Sequence, residues 1–493
     1  MRWLTLLALL PRLLAAFFSP GYFAHDDHFL VIEAAGSWAD GFDYNHWLPW
    51  NQGGSPTPTG HSFFYVGLHY LLFASLKAIG LSDPRVLMVI VRLMHAIWSL
   101  ITVRVGFRMA ERLAGPVIAW RAGLFLALFC FMPFLSVRNL VEVACIPFLM
   151  LGCLKLLNSD QQEGWRPAMV AGLWIGMAMN VRFQTIFFAA GPGLAYLLMQ
   201  RWKHAFVYGA GVLLPLLVVQ GLIDLFLWGR PWAEVTQYVL YNLANTTTYG
   251  VLPWYNYLLL ITGLLIPPLS LAVIFGFVRR PKPLVVWLPV LLFIAVHSYF
   301  PNKQERFILP IVPLLFVIGY ASWEQWRSAS GWWMARAGLW RGSLVFVWGL
   351  NLLLLPVLST TYSKRSRVEA MLALRSERPL GGLIVQDSEE APAMPPLFYL
   401  GQWDMGVFPL GPEEAGTDIH ELLLKHGVAG RNHHVLFVGE DGLAERVSRF
   451  ERQYGPVRIL GRAEPGFIDR VVHWLNPVNR NEIIIFARLS PRP

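Results

Sequence analysis

Long apolar stretches recur along the first 358 residues, and short polar or basic segments separate them. A helix needs about 20 mostly apolar residues to cross a bilayer, so this pattern predicts a bundle of about eleven membrane-spanning helices. We place the spans at 2–18, 86–107, 116–135, 140–157, 167–182, 184–200, 205–228, 254–278, 284–300, 306–323 and 342–358. The first stretch lacks a clear cleavage site, so we expect a retained span rather than a signal peptide.

One further apolar stretch, 62–81, is expected not to cross. If it did, the basic loops at 108–112 and 279–282 would face outward, against the preference of Lys and Arg for the cytoplasmic side. If it instead lies in or on the outer leaflet, the basic loops all fall inside, and the amino terminus is inside and the carboxyl terminus outside. The outward polar segments are then 19–85, 229–253 and 300–306.

The pattern changes at about residue 359. Short apolar runs at 382–386, 434–439, 457–460 and 481–487 alternate with helical patterns at 418–427 and 443–453. This alternation predicts a small extracytoplasmic α/β domain over 359–493, following a membrane domain over 1–358. The tail has no Gly-x-Gly-x-x-Gly after a strand, so we assign it no nucleotide site.

Composition agrees with a polytopic membrane protein. Of 493 residues, 55% are hydrophobic and 14% are charged, which lies outside the usual range of soluble domains. The net charge of +9 comes from short Arg and Lys runs between apolar segments, where it sets orientation rather than binding nucleic acid. The three cysteines fall inside apolar stretches and are expected to be small core residues.

The candidate chemistry begins directly after the first span, where Asp26 and Asp27 are flanked by His25 and His28. One carboxylate can act as a general base that takes a proton from an acceptor hydroxyl, while its neighbours orient it. The alternative is a solvated acidic turn beside the membrane. A metal site is not favoured, because His-Asp-Asp-His has no recognised ligand spacing.

Cations collect at the outward ends of other spans. Lys303, Glu305 and Arg306 begin a helix, and a helix amino terminus beside cations is suited to bind phosphate. Arg138 and Arg182 border spans, where charge is costly and normally faces a cavity or a partner. The alternatives are a plain charged loop for the first group and, for the two arginines, a structural ion pair with Glu142 or Asp224.

Aromatic and amide residues cluster between Asp224 and Tyr257. Their clustering with Asn, Thr and Gly predicts a wall that faces a sugar or a lipid head group. Interfacial anchoring is the alternative for each aromatic residue.

These residues resemble motifs of the polyprenyl-phosphate-sugar-dependent mannosyltransferases of N-glycan and GPI-anchor assembly, glycosyltransferase family 22, which have the GT-C membrane fold. His25-Asp-Asp-His-Phe29 is similar to that family's Pro-Asp-Glu-His-Phe, and Asn302-Lys-Gln-Glu-Arg-Phe307 to its His-Lys-Glu-x-Arg-Phe. The segment Asp224 to Trp254 resembles its Asp…Tyr-Gly…Asn…Tyr-Gly-x-His-Pro-Trp pattern, and Val137-Arg-Asn139 with Glu142 its Thr-Arg-Thr…Asn…Glu segment. The landmarks run in order across 20–325 and do not cover the tail. His25, Asn302 and Leu252 depart from the family residues.

The resemblance implies an all-α GT-C membrane domain with outward loop helices, in front of the α/β tail. It also implies transfer of a sugar, mannose in that family, from a polyprenyl-phosphate donor to a glycan or lipid-linked acceptor. Asp26 would be the base and Asp27 its neighbour, without a cofactor. The implied phosphate ligands are Lys303, Arg306, Arg138 and Arg182, and the implied substrate-binding residues are His28, Glu305, Asn242, Tyr249 and Trp254.

Two other classes share such features. A lipid-linked-sugar flippase or transporter also has intramembrane arginines, but its charges should lie near the bilayer midplane at interrupted helices. An oligosaccharide ligase or polymerase would use diphosphate-linked donors. We expect a bacterial inner membrane, with the active site and carboxyl terminus on the periplasmic side, or the endoplasmic reticulum for a eukaryotic chain.

Overall fold

The computed structural model of the protein describes residues 1–161, 164–248, 250–414, 416–476 and 481–491. The chain is mostly helical and ends in a small sheet domain. It divides into two compact units, each taken by itself below. The first comprises Met1–Phe17, His46–Leu68 and Ile90–Thr360, and the second comprises Phe18–Asn45, His69–Val89 and Thr361–Pro493. The second unit therefore includes parts of the predicted first outward loop. The division into domains at 358/359 stays a prediction.

Helices occupy most of the chain before residue 360. The α-helices there are Arg2–Phe18, Ala34–Ala39, Phe63–Ala78, Pro84–Ala114, Pro116–Leu128, Phe131–Ser136, Val141–Ala144, Ile146–Gln161, Arg166–Val181, Ile186–Leu198, Trp202–Pro215, Leu222–Trp228, Ala233–Ala244, Asn256–Leu264, Leu269–Arg279, Leu284–Tyr299, Val312–Ala329, Gly331–Ala335 and Ala337–Ser359. Wider π-helical turns lie at Asp27–Glu33 and Leu216–Gly221, and 3₁₀ turns at Pro49–Asn51, Phe183–Thr185, Glu305–Ile311 and Arg375–Glu377.

Within the described residues, five continuous helical segments are long and apolar enough to cross a membrane. They are Pro84–Ala114, Val141–Ser159, Trp202–Trp228, Glu305–Ala329 and Ala337–Ser359, and a sixth arises if the pair Leu269–Arg279 and Leu284–Tyr299, bent by 118°, is one span. The count of eleven is not confirmed, because several predicted spans are shorter or broken helices. Pro267 and Pro268, for example, stand between two helices of the predicted span 254–278, since proline cannot donate to a helical ladder.

Small residues allow the helices of the first unit to approach closely. A Cβ on Gly172 or Gly176 of Arg166–Val181 would clash with backbone atoms of Trp202–Pro215. Gly276 and Gly319 have the same role between Leu269–Arg279 and Val312–Ala329. Helix pairing through small residues replaces the hydrophobic driving force that lipid does not supply.

A buried arginine fastens the first helix, Arg2–Phe18. Arg12 is fully buried and its Nε donates to Ser99 Oγ at 2.9 Å. Its Nη1 and Nη2 donate to the carbonyls of Ala127 and Leu126 at 2.8 and 3.0 Å. These carbonyls lie at the end of Pro116–Leu128, where exposed C=O groups attract a cation.

The C-terminal part of the second unit is an α/β domain, as predicted. Its helices are Arg365–Leu374, Leu397–Leu400, Ile419–Lys425, Leu443–Gln453 and Phe467–Leu475, and its described strands are β1 Leu383–Gln386, β2 Val407–Leu410, β3 His433–Val438, β4 Val457–Ala463 and β5 Ile484–Leu489. The strand order is β2-β1-β3-β5-β4. β1 pairs in parallel with β2 and β3, whereas β5 is antiparallel to β3 and β4.

Four of these five strands fall on the predicted apolar runs. The missed strand, β2, contains Pro409 and lies at the edge of the sheet, where a proline costs no ladder hydrogen bond. Side chains of the sheet and of Ile419–Lys425 and Leu443–Gln453 form a common core that includes Ile384, Val435, Phe437 and Phe450.

Candidate active site

The two predicted catalytic carboxylates lie at the start of a helix in the second unit. The chain becomes helical at His25, passes through the π-helical turn Asp27–Glu33 and continues as Ala34–Ala39. Asp26 is partly exposed, whereas Asp27 is only 4% exposed. Of the two, Asp26 is therefore the more accessible to a substrate.

The π-helical turn places His28 beside Glu33, five residues later. His28 Nε2 lies 3.0 Å from Glu33 Oε1, and both side chains are fully buried. The Glu33 carboxylate also accepts from the backbone N–H of Phe398, at 2.9 and 3.0 Å to its two oxygens. Burial raises the pKa of Glu33, and the hydrogen bond from His28 opposes that rise. These bonds hold the helix that carries Asp26 and Asp27 against the segment Leu397–Leu400 of the same unit.

Aromatic rings enclose His28. Its ring stacks on Tyr22, with 4.5 Å between centroids, and on Tyr399, with 5.5 Å. His28 Nδ1 has no hydrogen-bond partner within the described part of the chain. These contacts fix the orientation of the His28 ring. The substrate-binding role of His28 stays a prediction.

Two of the predicted phosphate ligands converge on one carboxylate in the first unit. Glu142 is fully buried, and its Oε1 lies 2.5 Å from Arg182 Nη1 and 3.6 Å from Arg306 Nε. Both guanidinium groups also lie over the ring of Phe307, 5.1 and 5.5 Å from its centroid. The ion pair of Arg182 with Glu142, an alternative considered from the sequence, is present. The same carboxylate thus contacts both arginines.

Of the other charged residues predicted to bind the donor or substrate, one contacts an aromatic ring and one a backbone carbonyl. Arg138 lies over the ring of Phe134, 4.5 Å from its centroid, and Lys303 Nζ donates to the carbonyl of Phe300. Glu305 is exposed at the start of the 3₁₀ turn Glu305–Ile311. The expected α-helical amino terminus at this point is thus a 3₁₀ turn.

Two predicted outward segments, 229–253 and 300–306, meet in the first unit. Val251 pairs with Asn302 as an antiparallel bridge, and the N–H of Lys303 donates to the carbonyl of Gly250 at 3.1 Å. Asn242 lies in Ala233–Ala244, where its Nδ2 donates to the carbonyl of Tyr238 at 2.8 Å. Trp254 is 66% exposed. Tyr249 lies outside the described residues.

A second buried carboxylate joins three parts of the first unit. Glu234 Oε2 accepts from Gln220 Nε2 at 2.7 Å and from the N–H of Phe63 at 3.0 Å. Its Oε1 accepts from Trp228 Nε1 at 3.2 Å. Burial and the nearby charge of Asp224 raise the pKa of Glu234 to about 8.

The family to which the chain belongs follows from a family model rather than from the geometry of the site. The model that describes the Alg9-like mannosyltransferases matches residues 3–379, which is most of the chain. The chain belongs to this family. The match ends before β1, so most of the α/β domain lies beyond it.

Individual relatives of the Alg9-like family are distant. The chain is 24% identical over 333 residues to mannosyltransferase APTG1 of Arabidopsis thaliana, covering 63% of this chain and 56% of the relative. It is 28% identical over 159 residues to alpha-1,2-mannosyltransferase ALG9 of Arabidopsis thaliana (29% and 26%) and 25% identical over 175 residues to GPI mannosyltransferase 3 of Saccharomyces cerevisiae (33% and 28%). The chain thus spans about half or less of these curated relatives.

Solved structures with the GT-C fold resemble all or most of this Alg9-like chain. ArnT of Cupriavidus metallidurans, bound to undecaprenyl phosphate, matches with a TM-score of 0.63 at 12% identity, covering 100% of this chain and 99% of that one. The oligosaccharyltransferase of Archaeoglobus fulgidus matches with a TM-score of 0.52 at 11% identity, covering 92% and 71%. At these identities the likeness establishes the GT-C fold and nothing finer.

Sequence reasoning overlooked two buried carboxylates of this Alg9-like chain, Glu33 and Glu234. Glu33 lies five residues after His28, a spacing that puts two side chains on different faces of an α-helix and gives no signal before the π-helical turn is known. Glu234 lies 14 residues from Gln220, and the intervening turn conceals their proximity. No group of three or more His, Cys, Asp or Glu that could hold a metal occurs within the described residues; the expected independence from metal stays a prediction.

Proposed function

We propose that the protein transfers a mannosyl unit from a polyprenyl-phosphate donor to a hydroxyl of a glycan or lipid-linked acceptor, by one inverting displacement. Membership in the Alg9-like family supports a sugar transferase over a flippase. The solved GT-C structures support a lipid-phosphate donor, since one is bound to undecaprenyl phosphate and another is in complex with a dolichol-phosphate.

The observation that carries the proposal is the unequal exposure of the two adjacent aspartates. A general base must reach the proton that it removes. Asp26 is partly exposed at the start of a helix that the Glu33 hydrogen bonds hold in place, whereas Asp27 is buried. Asp26 is therefore assigned as the base and Asp27 as its orienting neighbour.

The reaction is a balanced displacement at the anomeric carbon. The acceptor oxygen forms a bond to that carbon as its proton passes to Asp26, and the bond from the carbon to the phosphate oxygen breaks. The electron pair leaves with the phosphate. Because phosphate is already a good leaving group, the proposal needs neither a partnering acid nor a metal cofactor.

The cations around Glu142 are assigned to the leaving phosphate. Arg182 is 8% exposed, and its Nε has no hydrogen-bond partner within the described part of the chain. A buried donor without a partner costs free energy, and a phosphate oxygen would satisfy it with a charge-assisted bond. Arg306, Arg138 and Lys303 are assigned to the same group.

The test is mannosyl transfer by purified Asp26→Asn with polyprenyl-phosphate mannose. We expect the rate to fall by roughly 10²- to 10⁴-fold, the usual contribution of a general base, while donor binding is retained. Asp404→Asn is the matched control, because Asp404 is exposed, and it should transfer at the wild-type rate. Normal turnover by Asp26→Asn would refute the assignment, and a larger loss in Asp27→Asn would move the base to that residue.

A further inference from the structure

A cavity of about 180 Å³ lies within the second unit, at the edge of the sheet where β1 and β3 end. Val385 of β1 and Leu436 and Val438 of β3 are part of its lining. The chain leaves β1 for β2 on one side and later returns to β3 on the other. In open α/β sheets, ligands bind in the crevice outside the carboxyl ends of strands at such a reversal.

Charges of both signs surround this apolar lining. Lys364 and Arg367 come from the start of Arg365–Leu374, and three carboxylates, Asp387, Glu390 and Glu482, come from the loops that adjoin β1 and β5. The three carboxylates would repel a phosphate, and the two cations would repel a divalent metal ion. A ligand with many hydroxyl groups suits both signs, because hydroxyls donate to carboxylates and accept from cations.

A separate observation concerns a buried hydroxyl group in the wall of the cavity. Ser366 also lines it and is 1% exposed. Its Oγ has no hydrogen-bond partner within the described residues. Buried hydroxyls are nearly always paired, and this residue of the cavity wall lacks that pairing within the described residues.

The size of the cavity selects a single ring. Its volume is far below the roughly 300–1,000 Å³ of pockets for drug-sized ligands and close to the roughly 150 Å³ of an engineered cavity that holds benzene. We propose that the cavity binds one neutral hexose unit of a glycan, with its C–H face on the apolar lining and its hydroxyls on Ser366 and the carboxylates.

Arg367 of the cavity wall interacts electrostatically with Tyr22, which precedes the helix that carries Asp26 and Asp27. Burial raises the pKa of Tyr22, and the guanidinium of Arg367 opposes that rise. Tyr22 in turn stacks on His28, next to Asp27. The inference does not depend on the transfer reaction, since it concerns binding at residues that mostly follow the family match at 3–379.

The experiment measures binding of free mannose, glucose and galactose to the full-length protein in nanodiscs by saturation-transfer NMR. We expect binding of at least one hexose, and Ser366→Ala should weaken it about fivefold, the size of one hydrogen bond. Ser366→Ala should fold normally, because it removes an unpaired buried hydroxyl. Glu482→Gln should weaken binding further, whereas Glu421→Gln, on the exposed face of Ile419–Lys425, should have no effect.

The inference would be overturned if the wild type bound no hexose at saturating concentration. It would also be overturned if Ser366→Ala and Glu482→Gln both bound hexose as tightly as the wild type does, or if inorganic phosphate displaced the sugar. Asp26→Asn separates this inference from the proposed function. It should bind the hexose as the wild type does, whatever its transfer rate.

Discussion

Replacing Glu142 by Gln removes a negative charge that contacts both Arg182 and Arg306 while keeping the side-chain shape. At an effective dielectric constant of about 20, Coulomb's law gives roughly 7 and 5 kcal/mol for the two contacts before desolvation is counted, from separations of 2.5 and 3.6 Å. Desolvation offsets part of this attraction. Removing one partner of a buried pair costs about 3–5 kcal/mol, and because Gln can still accept a hydrogen bond we expect about 3 kcal/mol.

The assay is reversible unfolding in mixed micelles, with and without polyprenyl phosphate. Glu142→Gln should be about 3 kcal/mol less stable than the wild type without lipid. If the arginines bind the donor phosphate, the lipid restores the missing anion and stabilises Glu142→Gln more than the wild type. Ligand at 100 times its Kd adds about 2.7 kcal/mol, which lies within reach of the measurement.

Glu111→Gln is the control, since Glu111 is exposed and its change should stay within about 0.5 kcal/mol. A loss below about 1 kcal/mol in Glu142→Gln would refute the view that Glu142 balances both arginines. Equal stabilisation of both proteins by the lipid would restrict the cluster to a structural role.

Two further predictions concern protonation and orientation. The folded state holds Glu234 with a pKa of about 8, against 4.5 when unfolded, so its contribution to stability is complete below pH 4.5 and is lost as pH rises through 8. Unfolding measured between pH 6 and 9 should show this decline, on the order of a few kcal/mol, and Glu234→Gln should flatten it; an unchanged slope would contradict the assignment. For orientation, a cysteine replacing exposed Ile79 should react with an impermeant maleimide from outside, and one replacing exposed Pro281 only after permeabilisation. The native cysteines are buried and give a low background, and outside labelling at 281 would overturn the topology.

The fold could be predicted where a local pattern decides the structure. Four strands of the C-terminal domain follow short β-rich apolar runs, and the longest apolar stretches form the long helices. Prolines account for part of the error. Pro409 hides an edge strand, and Pro267 and Pro268 divide a stretch whose mean hydropathy alone indicates one span.

The site was predicted less completely, because its contacts join residues distant in sequence. Glu142 and Arg182 are 40 residues apart, so their ion pair could be considered from the sequence but not chosen over phosphate binding. Glu33 contacts Phe398, 365 residues away, and no local pattern carries that contact. Asp26 and Asp27 could be selected as candidates because two adjacent acids after a predicted span are conspicuous in a chain with 14% charged residues, and their catalytic role stays a prediction.

The π-helical turn Asp27–Glu33 also bears on how this chain is compared with others. A π turn is an α-helix that carries one extra residue, and each residue advances an α-helix by about 100°. The wider turn absorbs that advance, so deleting one residue from 29–32 would restore regular α-helical geometry and leave Asp26 and Asp27 on about the same face relative to Ala34–Ala39. An alignment of this segment with a relative that lacks the turn therefore requires a one-residue gap after the aspartates, and an ungapped alignment would pair Glu33 with the wrong residue.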